Sequence, residues 1–388
     1  METLISFKWV YNNDEINFGP SSLDNLRNYL NNVKKTIIIT GKTSAKASGA
    51  LDDTVKILKE FNISYTIFDN VSPNPLSSQA DELAKAVISY GADIIIAIGG
   101  GSVIDTAKLG SAVAANGGKT IDYLYNKRKV EKIIPVYAVN LTHGTGTEAN
   151  RYANTTDTER GDKLGNAICY PKASFDDPKY TLSMPKEEVL CTTFDAFYHA
   201  YESTTTSGSS PLVQMLSEET VKQIKENLPL AVQNLNDVNP RYYLLYASMI
   251  AGVSIDLNPT NIIHALENIM SGLVPSLPHG CGLAIIGPLL APLIHKSSPN
   301  ESTKILKILN PDIKPNSDPS MIIKTITEFQ SSVGFNKKLR DYGFGRDMLR
   351  ESIRRAFSNP IIADRLKHRL YGINIDEKVL INTLENSI

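Results

Sequence analysis

The 388-residue sequence has little cysteine, no excess of either charge and no long apolar run. Its three cysteines are widely spaced and form no CxxC pair, which predicts free thiols in a reducing compartment. Lysine and arginine (40) balance aspartate and glutamate (41), so a basic nucleic-acid-binding surface is not indicated. We expect neither a secretory leader nor a membrane span of about 20 apolar residues. These absences favour a cytoplasmic protein that binds neither membranes nor nucleic acids.

Short apolar runs alternate with helical patterns in the first half of the chain. The runs lie at 35–40, 65–68, 93–98 and 133–139. Apolar strands that alternate with helices are typical of a parallel sheet covered on both faces, here an open doubly wound α/β unit. After about Pro185 the periodicity is helical. We therefore predict a Rossmann-like domain over residues 1–184 and an all-helical domain over residues 185–388.

A glycine-rich turn follows the third predicted strand, in the segment IAIGGGSVIDTAK. A helix starts directly after the glycines, and a helix N-terminus beside exposed backbone amides favours a bound anion such as a pyrophosphate. The segment is not the GxGxxG fingerprint, and a tight strand-to-helix connection without a ligand is the alternative. The candidate cofactor residues of this segment are Gly99, Gly100, Gly101, Ser102 and Asp105.

Two other polar loops follow predicted strands. The loop in VNLTHGTGTEAN offers hydroxyls and amides to a phosphate or carboxamide, and its candidates are Thr142, His143, Thr145 and Thr147. The first loop, TGKTSAK, is not a P-loop because Thr36 occupies the position of the first required glycine. It offers hydroxyls and lysines and no carboxylate, which favours NADP(H) over NAD(H). For each loop, a solvated surface turn is the alternative.

The helical half contains a candidate metal site. Asp195 and His199 are four residues apart, so they share one face of a predicted helix. His264 lies on another predicted helix, and His279 follows a proline in a loop. One carboxylate with three imidazoles suits Fe(II) or Zn(II). Spacing alone does not show that the four residues converge.

Taken together, these motifs resemble the iron-dependent (group III) alcohol dehydrogenases over nearly the whole chain. GGGSVIDTAK is similar to the family's GGGSxxDxAK, and THGTGTEAN to its TAGTGSE loop. FDAFYHAYE is similar to GxDAxxHAxE, and HALENIMSGLVPSLPHGCGLAI to HAxxHxxG…PHGxAxAI. DDPKYTLSMP resembles the family's DPxLTxxLP link. The resemblance implies a dehydroquinate synthase-like architecture.

The resemblance also implies roles for individual residues. Asp195, His199, His264 and His279 would be the metal ligands, acting in catalysis through the metal. The turn at 99–102 (the glycine turn) would bind the pyrophosphate of the dinucleotide. The loop at 142–147 (the threonine loop) would lie near its nicotinamide half. Other implied contacts to the cofactor are Gly41, Thr43, Ser44 and Lys46 around a 2′-phosphate, then Asn70 and Lys163.

Three positions depart from the family pattern. The family often has a second histidine four residues after the third ligand, where this chain has Asn268. It often has a small residue at the position of His143 and glycine at that of Thr193. The departure at Asn268 puts the proton relay and the substrate preference in question.

The sequence therefore predicts a metal-dependent alcohol dehydrogenase or aldehyde reductase that uses NADP(H), with NAD(H) as the alternative. The expected assembly is a homodimer. Sibling functions of the same fold are glycerol dehydrogenase and lactaldehyde or maleylacetate reductase. A non-catalytic nucleotide-binding protein is the alternative from another class.

Overall fold

The structure is a computed structural model that describes residues 4–12 and 14–385. It divides into two compact units. Unit 1 comprises the described part of Met1–Pro185 together with Leu235–Met249, and unit 2 comprises Lys186–Asn234 and the described part of Ile250–Ile388. The helical periodicity of the sequence predicted that residues 235–249 belong to the helical domain. They group with unit 1, where Arg241 bonds to His143 and the Tyr242 hydroxyl donates to the Ile5 carbonyl.

Unit 1 is built on a seven-stranded sheet with the order β1-β2-β9-β6-β5-β3-β4. All neighbouring pairs are parallel except β1 with β2. A separate antiparallel pair consists of β7 and β8. The strands are β1 Phe7–Tyr11, β2 Asp14–Phe18, β3 Lys35–Gly41, β4 Ser64–Val71, β5 Ile94–Gly99, β6 Val136–Asn140, β7 Tyr152–Thr156, β8 Lys163–Ala167 and β9 Ala173–Asp176.

Helices cover both faces of this sheet, which confirms the predicted fold class. Alternate residues of β3 and β5 point to opposite faces: Ile38 and Ile96 pack in one apolar layer, Ile37 and Ile95 in the other. The α-helices are α1 Ser44–Ala47, α2 Ala50–Glu60, α3 Ser77–Tyr90, α4 Gly101–Asn116 and α5 Thr120–Leu124. Short 3₁₀ segments occupy Ser22–Tyr29, Thr147–Ala149 and Pro178–Thr181.

The strand order reverses beside β3. This strand pairs with β4 on one side and with β5 on the other, although β4 and β5 are consecutive in the chain. Loops that leave the carboxyl ends of two strands at such a switch point flank a crevice, which is where ligands bind in open α/β sheets. The topology therefore brings the first loop and the glycine turn to a common edge of the sheet.

Unit 2 is helical throughout its described residues. Its helices are α6 Lys186–Thr205, α7 Pro211–Gln233, the second part of α8 Val238–Leu257, α9 Ile262–Leu273, α10 His279–Ser297, α11 Pro299–Leu309, α12 Pro319–Ser332, α13 Arg346–Ser358, α14 Pro360–His368 and α15 Glu377–Leu384, with a 3₁₀ turn at Leu339–Tyr342. By length and composition α10 could cross a membrane, contrary to expectation, but 67% of its apolar window is buried inside the protein. A buried core helix passes the same test, so this is weak evidence for a membrane span.

Three carboxyl groups of unit 1 are buried: those of Asp14, Glu148 and Asp176. Both carboxylate oxygens of Asp14 and Glu148, and Oδ2 of Asp176, have no hydrogen-bond partner within the described chain. Burial raises the pKa of all three groups. Burial therefore favours the neutral form of each carboxyl group, because this form carries a much smaller desolvation cost than a carboxylate.

The buried carboxyls predict that stability falls as the pH rises from about 4 to 8. Burial raises the pKa of Asp176 from 3.8 to about 7, so the folded protein retains a proton that the unfolded chain releases. The charge of Asp176 in turn raises the pKa of Glu148, so the two carboxyl groups together would account for a loss on the order of 4 kcal/mol in unfolding free energy. Urea unfolding at several pH values measures this loss. Asp176→Asn should flatten the pH dependence, and an unchanged slope would contradict the assignment.

Candidate metal centre and cofactor loops

One face of α6 supplies the first two candidate ligands, Asp195 and His199, and a further acidic residue, Glu202. Asp195, His199 and Glu202 lie four and then three residues apart, so they project from the same side of the helix. All three side chains are buried. The helical spacing read from the sequence thus predicted the Asp195–His199 pair and could also have indicated Glu202.

Three imidazoles converge on one carboxylate oxygen. Oδ1 of Asp195 lies 3.2 Å from Nε2 of His264, 3.4 Å from Nε2 of His199 and 3.8 Å from Nε2 of His279. The rings of His199 and His264 stack with centroids 4.6 Å apart. The ligand atoms of Asp195, His199 and His264 all lie within 4.8 Å of one another. Three helices therefore bring the four candidate residues to one point.

Two further carboxylates contact the outer nitrogens of these histidines. Glu202 contacts Nδ1 of His264, and Glu267, on α9, contacts Nδ1 of His279. Glu202 also accepts hydrogen bonds from the backbone N–H groups of Asn261 (3.0 Å) and Ile263 (2.8 Å) at the start of α9. A carboxylate that holds Nδ1 leaves Nε2 free for a metal. The sequence analysis did not single out either glutamate.

The charges of the site favour a bound cation. Burial by itself would raise the pKa of Asp195, but the imidazoles of His199, His264 and His279 lower it below its ordinary value. Burial would lower the pKa of His264, whereas Glu202 and Asp195 raise it to about 9. Three buried carboxylates around three imidazoles therefore attract positive charge. This donor set of three nitrogens and one oxygen fits Fe(II) or Zn(II).

Cys191 and Cys281 form a disulfide between α6 and α10, with Cα atoms 4.7 Å apart. The expectation of three free thiols is therefore wrong, and Cys169 is the free cysteine among the described residues. The wide spacing in the sequence hid the pair because 90 residues separate two positions that the helix packing brings together. Both cysteines lie close in sequence to candidate ligands, Cys191 four residues before Asp195 and Cys281 two after His279.

Gly280 permits the close approach of α10 to α6. A Cβ atom at position 280 would overlap the backbone carbonyl of Cys191, which cannot rotate away as a side chain could. We expect Gly280→Ala to destabilise the protein by at least the upper part of the about 1–3 kcal/mol typical of overpacking. The measurement is denaturant unfolding of the metal-free protein. Gly345→Ala is the control because a Cβ atom there meets open space, and equal stability of the two variants would contradict the prediction.

The glycine turn of unit 1 packs against the threonine loop. A Cβ atom on Gly100 would overlap Thr142, and one on Gly101 would overlap Thr145. Gly99 ends β5, and Gly101 and Ser102 begin α4. The absence of side chains at these positions therefore lets two loops at neighbouring strand ends lie in direct contact.

Two buried residues of α4, Asp105 and Lys108, hold the threonine loop in place. Nζ of Lys108 lies within hydrogen-bond distance of the Thr147 hydroxyl (2.8 Å) and of the carbonyl oxygens of Thr147, Asn150 and Tyr152 (2.6–2.9 Å), so its three N–H donors are all engaged. Asp105 accepts from the Thr147 hydroxyl (2.6 Å) and the Asn154 backbone (2.9 Å). Both oxygens of Asp105 are thus engaged within the protein. This network positions the loop, and the sequence analysis did not identify the part played by Lys108.

His143 is fully buried beside a buried arginine. Its Nε2 lies 3.0 Å from Nη1 of Arg241, whose Nη2 donates to the Leu235 carbonyl at 3.2 Å. Burial and the charge of Arg241 lower the pKa of His143 to about 3. His143 is therefore neutral at physiological pH and accepts a hydrogen bond from the guanidinium.

The remaining predicted cofactor residues lie around the first loop and the start of α3. Lys42 contacts the side chains of Asn70 (3.0 Å) and Asp69 (3.5 Å) at the end of β4. Nζ of Lys163 donates to Oδ1 of Asn74 at 2.8 Å. Gly41 ends β3, Thr43 precedes α1, and Ser44 and Lys46 lie within α1. Asp69 is an exposed acid near this loop that the sequence analysis did not weigh.

The parallel sheet with its glycine turn and the buried aspartate–histidine cluster together define a metal-dependent dehydrogenase. The sequence-family model of iron-containing alcohol dehydrogenases matches residues 13–178. The family model of the C-terminal domain of these enzymes matches residues 189–368. The chain belongs to the iron-containing alcohol dehydrogenase family, and a metal-dependent alcohol dehydrogenase is the function that the site and the relatives support.

Relatives and solved structures agree with this membership. The long-chain primary alcohol dehydrogenase AdhA of Thermoanaerobacter ethanolicus is 34% identical over 95% of this chain and 94% of its own length. The 1,3-propanediol dehydrogenase of Klebsiella pneumoniae is 28% identical over 84% of this chain and 86% of its own length. The crystal structure of an iron-containing alcohol dehydrogenase from Thermotoga maritima superposes with a TM-score of 0.84 at 27% identity, covering 98% and 99% of the two chains.

Proposed function

We propose that this enzyme transfers a hydride between NADP(H) and a small primary alcohol or its aldehyde. The convergence of three imidazoles on one Asp195 oxygen is the observation that carries the proposal. Asp195, His199, His264 and His279 would hold Fe(II) or Zn(II), which when bound polarises the substrate oxygen as a Lewis acid. Relatives named as a long-chain primary alcohol dehydrogenase and a 1,3-propanediol dehydrogenase support an alcohol as the substrate, and the second of them supports a small one.

The protein's own groups would bind, orient and shield the reactants. In unit 1, the Gly99–Ser102 turn and the Thr142–Thr147 loop offer backbone amides and hydroxyls for the dinucleotide, which supplies the hydride chemistry when bound. In unit 2, the buried side chains around the histidine cluster would limit the access of water to the substrate oxygen. Anaerobic purification, metal analysis and reduction of a short aldehyde with NADPH and NADH test this proposal. Absence of both metal and turnover would overturn it.

The preference for NADP(H) is proposed from the first loop. Lys46 and the hydroxyls of Thr43 and Ser44 would contact a 2′-phosphate, and β3 ends in Gly41 where a ribose-binding acid would repel that phosphate. A Cβ atom on Gly41 meets its nearest neighbours, Ser44 Oγ and Val71 O, at 3.7 Å, which is ordinary contact. A side chain at position 41 therefore fits without disturbing the fold.

We expect Gly41→Asp to raise the KM for NADPH by about tenfold or more, since a like-charge contact costs at least 1.4 kcal/mol. The KM for NADH should stay the same or fall, because a carboxylate accepts hydrogen bonds from the ribose hydroxyls. Gly41→Ala is the matched control that adds a side chain without charge. A wild type that prefers NADH would refute the proposed preference while leaving the family assignment intact.

We also propose that the enzyme is a homodimer that pairs through β1. This strand is one of the two outer strands of the sheet and carries the partly exposed side chains Phe7, Trp9 and Val10. Unpaired edge groups beside apolar side chains favour strand addition from a second copy. Light scattering of the wild type and of Val10→Lys tests the assembly, and a monomeric wild type would exclude it.

A cytoplasmic location, with neither membrane nor nucleic acid as partner, remains our proposal. The balanced charge of the chain supports the last of these. The Cys191–Cys281 disulfide makes the compartment directly testable, because such bonds are rare in reducing compartments. Cell fractionation combined with thiol labelling of the trapped protein would report the location and the redox state of the pair together.

A further inference from the structure

His279 differs from the other three candidate ligands in how it is held. It is the first residue of α10, and its side chain is 21% exposed, compared with 8% for His199 and 7% for His264. Its Nε2 is also the farthest from Oδ1 of Asp195, at 3.8 Å. The packing that fixes the other imidazoles therefore constrains His279 less, and its orientation depends on whatever holds its outer nitrogen.

That nitrogen is in contact with Glu267. The carboxylate of Glu267 is fully buried, and its Oε2 contacts Nδ1 of His279. Ser271, one turn along α9, donates weakly to the same oxygen at 3.5 Å. Gly282 provides the space for this carboxylate, because a Cβ atom at position 282 would overlap it. The HGCG segment thus contains both the candidate ligand, His279, and the glycine, Gly282, that leaves space for the Glu267 carboxylate.

Glu267 contributes much less to the fold than Glu202. Glu202 accepts three backbone hydrogen bonds at the start of α9 in addition to its contact with His264. Oε1 of Glu267 has no hydrogen-bond partner within the described residues. A buried carboxylate with one unsatisfied oxygen lowers stability. Its contact with His279 therefore serves the site more than the fold.

We propose that Glu267 is a positioning residue that decides whether His279 completes the metal centre. By accepting a hydrogen bond from Nδ1–H, Glu267 selects the tautomer in which Nε2 carries the lone pair, and it fixes the ring with Nε2 towards Asp195. This inference rests on the proposed metal centre and adds a residue that controls its fourth ligand. Without Glu267, the partly exposed imidazole would rotate and the site would retain three donors.

The test measures binding of Co(II) to the metal-free protein through its visible absorption, which reports coordination without turnover. Glu267→Ala should weaken Co(II) binding by about 10- to 100-fold, as for other partners of metal-bound histidines, and should alter the absorption bands. Glu267→Gln should lie between the wild type and Glu267→Ala, because the amide oxygen still accepts from Nδ1. Glu226→Gln, on the exposed surface of α7, is the matched control and should bind as the wild type does.

Unfolding of each metal-free variant is measured in parallel. A Glu267→Gln protein that folds as stably as the wild type but binds Co(II) more weakly supports a positioning role. Equal Co(II) affinity and equal spectra in the wild type and both Glu267 variants would overturn the inference alone. No Co(II) binding by the wild type would overturn the metal centre as well, so the two failures are distinguishable.

Discussion

The His264→Ala protein is expected to lose its metal and its dehydrogenase activity together. Nε2 of His264 is the imidazole nitrogen nearest to Oδ1 of Asp195, at 3.2 Å. The substitution also leaves Glu202 without its imidazole partner in a fully buried position. We expect metal affinity to fall by more than about 100-fold, the upper limit typical of changes outside the ligand set. Metal content after dialysis and aldehyde reduction measure the two losses.

A matched control for His264 is available on the surface. His368→Ala removes an exposed histidine that pairs only with Asp364 among the described groups and lies outside the cluster. It should retain the metal content and activity of the wild type. A His264→Ala protein that keeps full activity without metal would exclude the proposed mechanism, whatever its cofactor preference.

Reduction of the Cys191–Cys281 disulfide is expected to produce the largest change in stability. The bond closes a loop with a sequence separation of 90 residues, and constraining a loop of about that length in the unfolded chain is worth roughly 4–5 kcal/mol. Cys191→Ser should lower the unfolding free energy by a comparable amount. Because the bond joins α6 to the first turn of α10, its loss should also weaken metal retention.

The disulfide prediction is measured by urea unfolding of the metal-free protein with and without a phosphine reductant. Cys169→Ser is the matched control because it removes the free cysteine and keeps the bond. Reductant should destabilise the wild type and Cys169→Ser equally and leave Cys191→Ser unchanged. Identical unfolding curves in all conditions, or three titratable thiols in the purified protein, would show that the pair is not bonded.

Local patterns in the sequence correctly predicted several elements. The apolar runs at 35–40 and 93–98 correspond to the central strands β3 and β5, because buried strands of a parallel sheet are apolar on both faces. The four-residue spacing of Asp195 and His199 placed both on one face of α6. The local patterns did not indicate β1 and β2, because FKWVY and DEINF are only five residues each and neither is a continuous apolar run.

Through the resemblance, the sequence indicated the family and the candidate ligands His264 and His279. By itself it determined the central strands, the glycine turn and the Asp195–His199 pair. These depend on neighbours within about one helical turn or one strand, where the backbone geometry fixes which side chains share a face. Only the tertiary structure decided the rest: the convergence on Asp195, the contact of Glu267 with His279, the Cys191–Cys281 bond and the grouping of 235–249 with unit 1. Each of these joins separate elements. Their proximity depends on how the helices pack, and the spacing of residues within one segment does not predict that packing.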